Sequence, residues 1–150
     1  MPVFSVTRFE RFFRAAAGLH MDKSDLKRYE DFLDRNVHDL FVAAGVTAKA
    51  NGRDVIEPAD LPITKGLQEC VREFRKLDEE LDVAPMLAQV IALPPPLHQT
   101  ISADARDRLP DIAGGLSVAL AHAFPLVAPS VKNPRTAEWE QVFALFDLLL

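Results

Sequence analysis

Apolar residues recur three and four positions apart along most of this chain. In residues 6–17, VTRFERFFRAAA, the positions Val6, Phe9, Phe12, Phe13 and Ala16 form one apolar stripe, the spacing of an amphipathic helix. Arg8, Arg11 and Arg14 fall three apart and share another side of that helix. Gly18 is placed to end it. Asp22, with Asp25 three residues on, marks the next start. From Leu26 through Tyr29, Phe32, Val37 and Phe41 to Ala48, a helical pattern runs to about Asn51. It is apolar on more than one side, as a central helix packed by others must be. Asn51 and Gly52 stop it. Val55 and Ile56 then read as a very short extended link. Pro58 suits the first turn of a further helix, and Pro62 follows so closely that this turn should be irregular. Ile63, Leu67, Cys70, Phe74, Leu77 and Leu81 complete a clean helical stripe.

The second half repeats this order. Residues 85–93 predict a short helix with proline at its start, and PPPLHQT a rigid loop. Ser102 is placed to cap a long helix through Leu109, Ile112, Leu116, Leu120 and Phe124, which Pro110 should kink or split early. Gly114 and Gly115 lie near its middle. Each glycine costs a helix about 1 kcal/mol, so a close packing contact is expected there, with the first central helix near Val37. Val131 lies in another short link. Thr136 should cap a last helix whose face is Trp139, Val142, Phe143, Phe146 and Leu149. The pattern runs to the last residues, so the C-terminus is expected to pack against the body, with Trp139 partly exposed.

Composition narrows the class. With 150 residues, 49% of them hydrophobic, the chain is one domain's worth of material, 1–150, able to bury about 70% of its unfolded surface. The single cysteine, Cys70, rules out an internal disulfide and a cysteine-rich zinc site, and points to a reducing cytoplasm. No leader pattern is expected, and no apolar run long enough to span a bilayer. The net charge of −5 is unevenly spread. Residues 1–75 hold 12 basic and 12 acidic side chains, whereas residues 76–150 hold 5 and 10. Proteins that wrap DNA tightly are usually basic, because affinity comes from neutralised phosphates, so this distribution argues against tight wrapping.

Two units of short helix, long helix, link and helix, in the stretch NGRDVIEPAD above all, resemble histone folds. In such folds the link begins with glycine and arginine, and an aspartate follows seven positions after the arginine. Gly52, Arg53, Val55, Ile56 and Asp60 match that pattern. The resemblance implies that Arg53 and Asp60 form a structural clamp. The second half shares only the start of its central helix, ISADAR, and lacks the clamp aspartate. VTRFERFFRAAAGLHMDKSDLKR, NGRDVIEPADLPITKGLQE and VKNPRTAEWE resemble a small bacterial family of uncharacterised tandem histone-fold proteins. The implied architecture is all-α, with units 4–81 and 82–150 paired as an intramolecular handshake pseudo-dimer. Joining the units raises their effective concentration to about millimolar or more.

That geometry implies two loop pairs. One brings residues 18–23 beside 130–135 and offers His20, Lys23, Lys132, Asn133 and Arg135 to phosphates. The other joins residues 53–57 to 94–102 and offers Asp54, Glu57, His98 and a clamped Arg53. With Arg8, Arg11 and Arg14, the first pair forms the expected site for double-stranded DNA. The alternative for the arginine row is a merely solvated helix face. About four phosphate contacts would give a log–log salt slope of about −3.6, hence weak, sequence-independent binding and a nucleoid location. Histone folds also serve as protein–protein modules, and the last helix offers self-association. An enzyme is not expected, nor a cofactor, a metal, a small-molecule substrate or a membrane. His38 and Asp39 point to different sides of one helix. His122 reads as a satisfied core histidine and Cys70 as a core thiol. No phosphate loop or nucleophile elbow is present in the sequence.

Overall fold

A computed structural model describes residues 6–90 and 99–150. They are mostly helical. Helix α1, Val6–Ala17, buries Phe9, Phe12 and Phe13 and ends at Gly18, whose φ of +65° suits glycine. Helix α2, Lys23–Ala50, is the long central element. Its first turn is closed reciprocally. Ser24 N donates to Asp22 Oδ1 at 2.8 Å, and Asp22 N donates to Asp25 Oδ2 at 3.0 Å. Gly52, with φ of +72°, turns the chain into strand β1, Val55–Ile56. The helix expected from Pro58 is instead a single 3₁₀ turn, Pro58–Asp60, followed by a break. Pro62 cannot donate an intrahelical hydrogen bond, and helix α3, Lys65–Leu81, starts only after Thr64, whose Oγ1 accepts from Leu67 N at 3.2 Å.

Helix α4, Ala84–Val90, follows at once. The end of the helix expected at 85–93, and most of PPPLHQT, lie outside the described residues. Strand β2, Thr100–Ile101, pairs in parallel with β1, Val55 opposite Thr100 and Ile56 opposite Ile101. Pro110 splits the second long helix into α5, Ala103–Asp107, and α6, Leu109–Val127, because its nitrogen has no hydrogen to donate one turn back. Helix α7, Thr136–Leu149, is capped by Arg135 rather than Thr136: Arg135 N donates to Glu138 Oε1 at 2.9 Å, while the Thr136 hydroxyl accepts from Arg28 Nη2 at 2.6 Å.

One core joins the two halves. Phe9 and Phe13 lie edge-on at 5.1 Å, and Phe13 meets Tyr29 at 5.4 Å. The buried Tyr29 hydroxyl is 2.7 Å from Ser117 Oγ, which in turn donates to Ala113 O. Thus α2 and α6 share one polar tie inside an apolar core that α1 helps to close. Trp139 is not partly exposed as its sequence position suggested. It is 1% exposed, stands edge-on to Phe124 at 5.0 Å, and donates its indole N–H to Asp25 Oδ1 at 2.9 Å. That carboxylate lies 114 residues away along the chain, so helical periodicity cannot reveal it. Burial pushes the Asp25 carboxyl up, against the hydrogen bonds from Asp22 and Trp139.

The two glycines of α6 do mark a close approach, but to α3 rather than to α2 near Val37. A Cβ at Gly114 would lie 2.3 Å from Phe74, and one at Gly115 would lie 2.5 Å from Val71. The joined run Ala103–Val127 also corrects a second expectation. It is long and apolar enough to cross a bilayer by length and composition, yet 61% of its most apolar window is buried inside the protein. Its apolarity is accounted for by packing against α1, α3, α4 and α7.

Candidate nucleic-acid interface

The β1–β2 pairing joins one link to one loop. Thr100 N donates to Asp54 O at 3.1 Å and Ser102 N to Ile56 O at 3.0 Å. At the opposite end, His20 N donates to Lys132 O at 2.7 Å. The loop after α1 therefore lies against the loop before α7, and the link after α2 lies against the segment before α5.

At the β1 end, Arg53 holds Asp60 in a two-pronged grip: Nη1 to Oδ2 at 2.7 Å and Nη2 to Oδ1 at 2.8 Å. Arg53 Nη1 also reaches Val55 O at 3.1 Å, and Glu57 N donates to Asp60 Oδ2 at 2.8 Å. The Asp60 carboxylate is buried and nearly all its acceptor capacity is used. The Arg53 guanidinium, then the Glu57 amide, hold its pKa down at about 2. Arg53 is raised in turn by its hydrogen bonds to Asp60. This arrangement stiffens the link between α2 and α3. It leaves the Arg53 charge paired with Asp60, beside exposed Asp54 and half-buried Glu57, so this end presents little free positive charge. His98 lies outside the described residues.

The other end is different. His20, Lys23, Lys132, Asn133 and Arg135 are all exposed. Arg11 and Arg14 are exposed on α1, and among the described residues neither side chain has a hydrogen bond or ion pair. Arg8 departs from the expected row. It is half-buried, and its Nη1 donates to Asp82 O at 2.9 Å, fastening α1 to the α3–α4 junction. Carboxylates interrupt the basic region as well. A polar depression lined by Asp22, Asp25, Arg28, Asn133, Arg135 and Thr136 sits within it. The Ser24 hydroxyl, ahead of other hydrogen bonds, holds the Asp22 carboxyl below its ordinary range, so Asp22 remains ionised there.

Catalytic chemistry gains little. Cys70, half-buried on the α3 stripe, borders a hollow with Glu69, Glu73 and His122. Burial first, then the Glu73 and Glu69 charges, push its thiol up, away from the nucleophilic thiolate. His122 is not a core histidine: it is exposed and lies 2.7 Å from Glu73 Oε2. No group of three or more potential metal ligands occurs among the described residues. The sequence reading missed a second feature, a cleft where Arg72 and Arg75 of α3 face Arg108, thirty-odd residues on; no local spacing signals such a meeting.

The chain belongs to the family described as a domain of unknown function, DUF1931, which matches residues 9–147. An uncharacterised protein of Aquifex aeolicus (strain VF5) is 30% identical over 109 residues, covering 73% of this chain and 63% of that protein, so the match spans less than two thirds of the relative. A crystal structure of a protein from Thermus thermophilus is similar at a TM-score of 0.84, with 47% identity over 99% of both chains. A crystal structure from Aquifex aeolicus has a TM-score of 0.83 and 26% identity, covering 96% of this chain and 94% of that one.

Proposed function

We propose that this chain is a tandem histone-fold pseudo-dimer that binds double-stranded DNA weakly and without sequence preference, as a bacterial nucleoid-associated protein. The observation that carries the reading is the His20 N to Lys132 O bond, which sets the first loop of one half against the second loop of the other. The matching β1–β2 pairing and the two-pronged Arg53–Asp60 grip support it. Arg11, Arg14, His20, Lys23, Lys132 and Arg135 are the phosphate-facing groups; Arg8 anchors α1 instead. Asp22 among them, and the chain's net charge of −5, keep affinity low. Titration of a fluorescent duplex at about 50 and about 200 mM salt tests this, because phosphate-driven binding collapses over that range. Binding at low salt that disappears in an R14E/K132E variant with unchanged melting supports the reading. Absence of binding at low salt overturns it.

A second reading has its own observation. The C-terminus is not packed against the body as expected: Leu148 and Leu149 at the end of α7 are 82% and 70% exposed, and Leu150 is exposed too. A protein–protein module would use such a surface. Sedimentation of the wild type and an L148E/L149E variant over a concentration series tests it: self-association that the variant loses supports the module, and a monomer throughout removes that form of it.

A further inference from the structure

A cleft of about 460 Å³ opens between the Pro58–Asp60 turn, α3 and α6. It lies beside the close contact made by Gly114 and Gly115. Each helix contributes one stripe: Gln68, Val71, Arg72 and Arg75 from α3, and Arg108, Asp111 and Ile112 from the start of α6. The turn and the break after it add Leu61 and Ile63 as an apolar end wall. The volume falls within the range of small-ligand sites.

Charge in the cleft is opposite to that of the chain. Three guanidiniums line it with Asp111, and Glu69 pairs with Arg72 at its edge, which leaves a local excess of one positive charge in a protein of net charge −5. Arg75 is partly satisfied, with Nη2 2.7 Å and Nε 3.3 Å from Asp111 Oδ2. Arg72 directs Nη1 to Glu69 at 3.0 and 3.1 Å. Arg108 is exposed, and among the described residues its side chain has no partner. Each guanidinium keeps N–H donors free, since a guanidinium carries five. Ile63 and Val71 are only half-buried, so the floor retains apolar surface for a ligand to cover. Planar donors above an apolar floor match one ligand chemistry: an anionic head on an apolar body.

We propose that this cleft binds a small amphipathic organic anion, a carboxylate or phosphate monoester carrying a chain or ring, with its head among Arg72, Arg75 and Arg108 and its body on Ile63 and Val71. The site goes beyond the DNA reading and shares no residue with it.

The test is methyl NMR on the full chain, titrated with octanoate and with phenyl phosphate; n-octanol, inorganic phosphate and a DNA duplex are the controls. Expected are saturable shifts of the Ile63 and Val71 methyls with both organic anions. Loss of a charged hydrogen-bonding partner in R108Q should weaken binding at least about tenfold. R108Q keeps most of the aliphatic stem and should melt as the wild type does; should it not, R72Q replaces it. Absence of saturable shifts, or shifts centred on Leu148 and Leu149, overturns the proposal. So does unchanged affinity in the arginine variant. Inorganic phosphate binding as tightly as phenyl phosphate removes the apolar floor from the site and also overturns it. A duplex shifting the same methyls as strongly assigns the charge to nucleic-acid phosphates and overturns it in favour of an extended DNA surface.

Discussion

Replacing Gly114 with alanine sets two effects of known size against each other. A glycine-to-alanine change inside a helix is worth about 1 kcal/mol in favour of the alanine, all else equal. Here all else is not equal. The new Cβ would stand 2.3 Å from both Cγ and Cδ2 of Phe74, which is 1% exposed. Carbon atoms rest at about 3.5–4.0 Å, so either the ring or α3 must retreat by more than about 1 Å. Cγ is the root of the ring, not a free end that can swing aside, and the ring is enclosed. Overpacking of this kind costs about 1–3 kcal/mol, and a contact so short belongs at the upper end or beyond it. The net expectation is a loss of about 2 kcal/mol. At this chain length that is a fall in Tm of about 4–8 °C. Gly66, also helical but with nothing nearer than Thr64 Oγ1 at 4.0 Å, is the internal control. G66A should raise Tm by about 1–4 °C, because only the propensity gain remains. Circular dichroism melts of the two variants, with urea midpoints to check cooperativity, read the contrast. If G114A melts at or above the wild type, α3 and α6 are not in the contact described, and the explanation given for the paired glycines fails.

The polar ties carry expectations of their own. D60N should lower the melting temperature and remove a pH dependence. The Asp60 pKa is about 2 in the folded chain against 3.8 ordinarily, so its stabilisation is present above about pH 4 and is lost as pH falls through 2. Urea midpoints of the wild type should therefore drop across that window more steeply than those of D60N; parallel curves would refute the clamp's electrostatic role. Asp25 has the opposite sign. Its carboxyl is raised by burial, so ionising it costs stability as pH climbs from 3.8 through the folded value. D25N should accordingly compare better with the wild type near neutral pH than near about pH 3.5, and the reverse order would contradict the burial argument. Trp139, enclosed by Phe124, Phe143 and Asp25, should fluoresce at short wavelength and resist acrylamide quenching until the chain unfolds. Free quenching in the native state would show that α7 does not dock as described.

The amino-acid order by itself determined several helix boundaries, though not the start of α3 at Lys65 or the cap of α7 at Arg135. Asp22 with Asp25, Gly18 and Gly52 act within one or two turns, and local hydrogen bonding or backbone freedom is enough to place a boundary. The Arg53–Asp60 pair is expected only from the resemblance to histone folds, and the two side chains do meet. Pro110 splits a helix without help from the rest of the fold. Helical periodicity also selected the buried faces of α1 and α3, because a stripe needs only its own helix to be recognised. What lies against each stripe is a different matter. Gly114 faces Phe74 rather than Val37, Trp139 is sealed by Asp25, and Arg8 caps the end of α3 instead of facing solvent. Arg108 meets Arg72 and Arg75 in one cleft, and His122 lies on Glu73 at the surface. Each of these pairs is separated by dozens of residues, and no local period encodes which helix faces which. Only the tertiary arrangement decides them, because a side chain's surroundings are set by the crossing of whole helices and not by its neighbours in the chain.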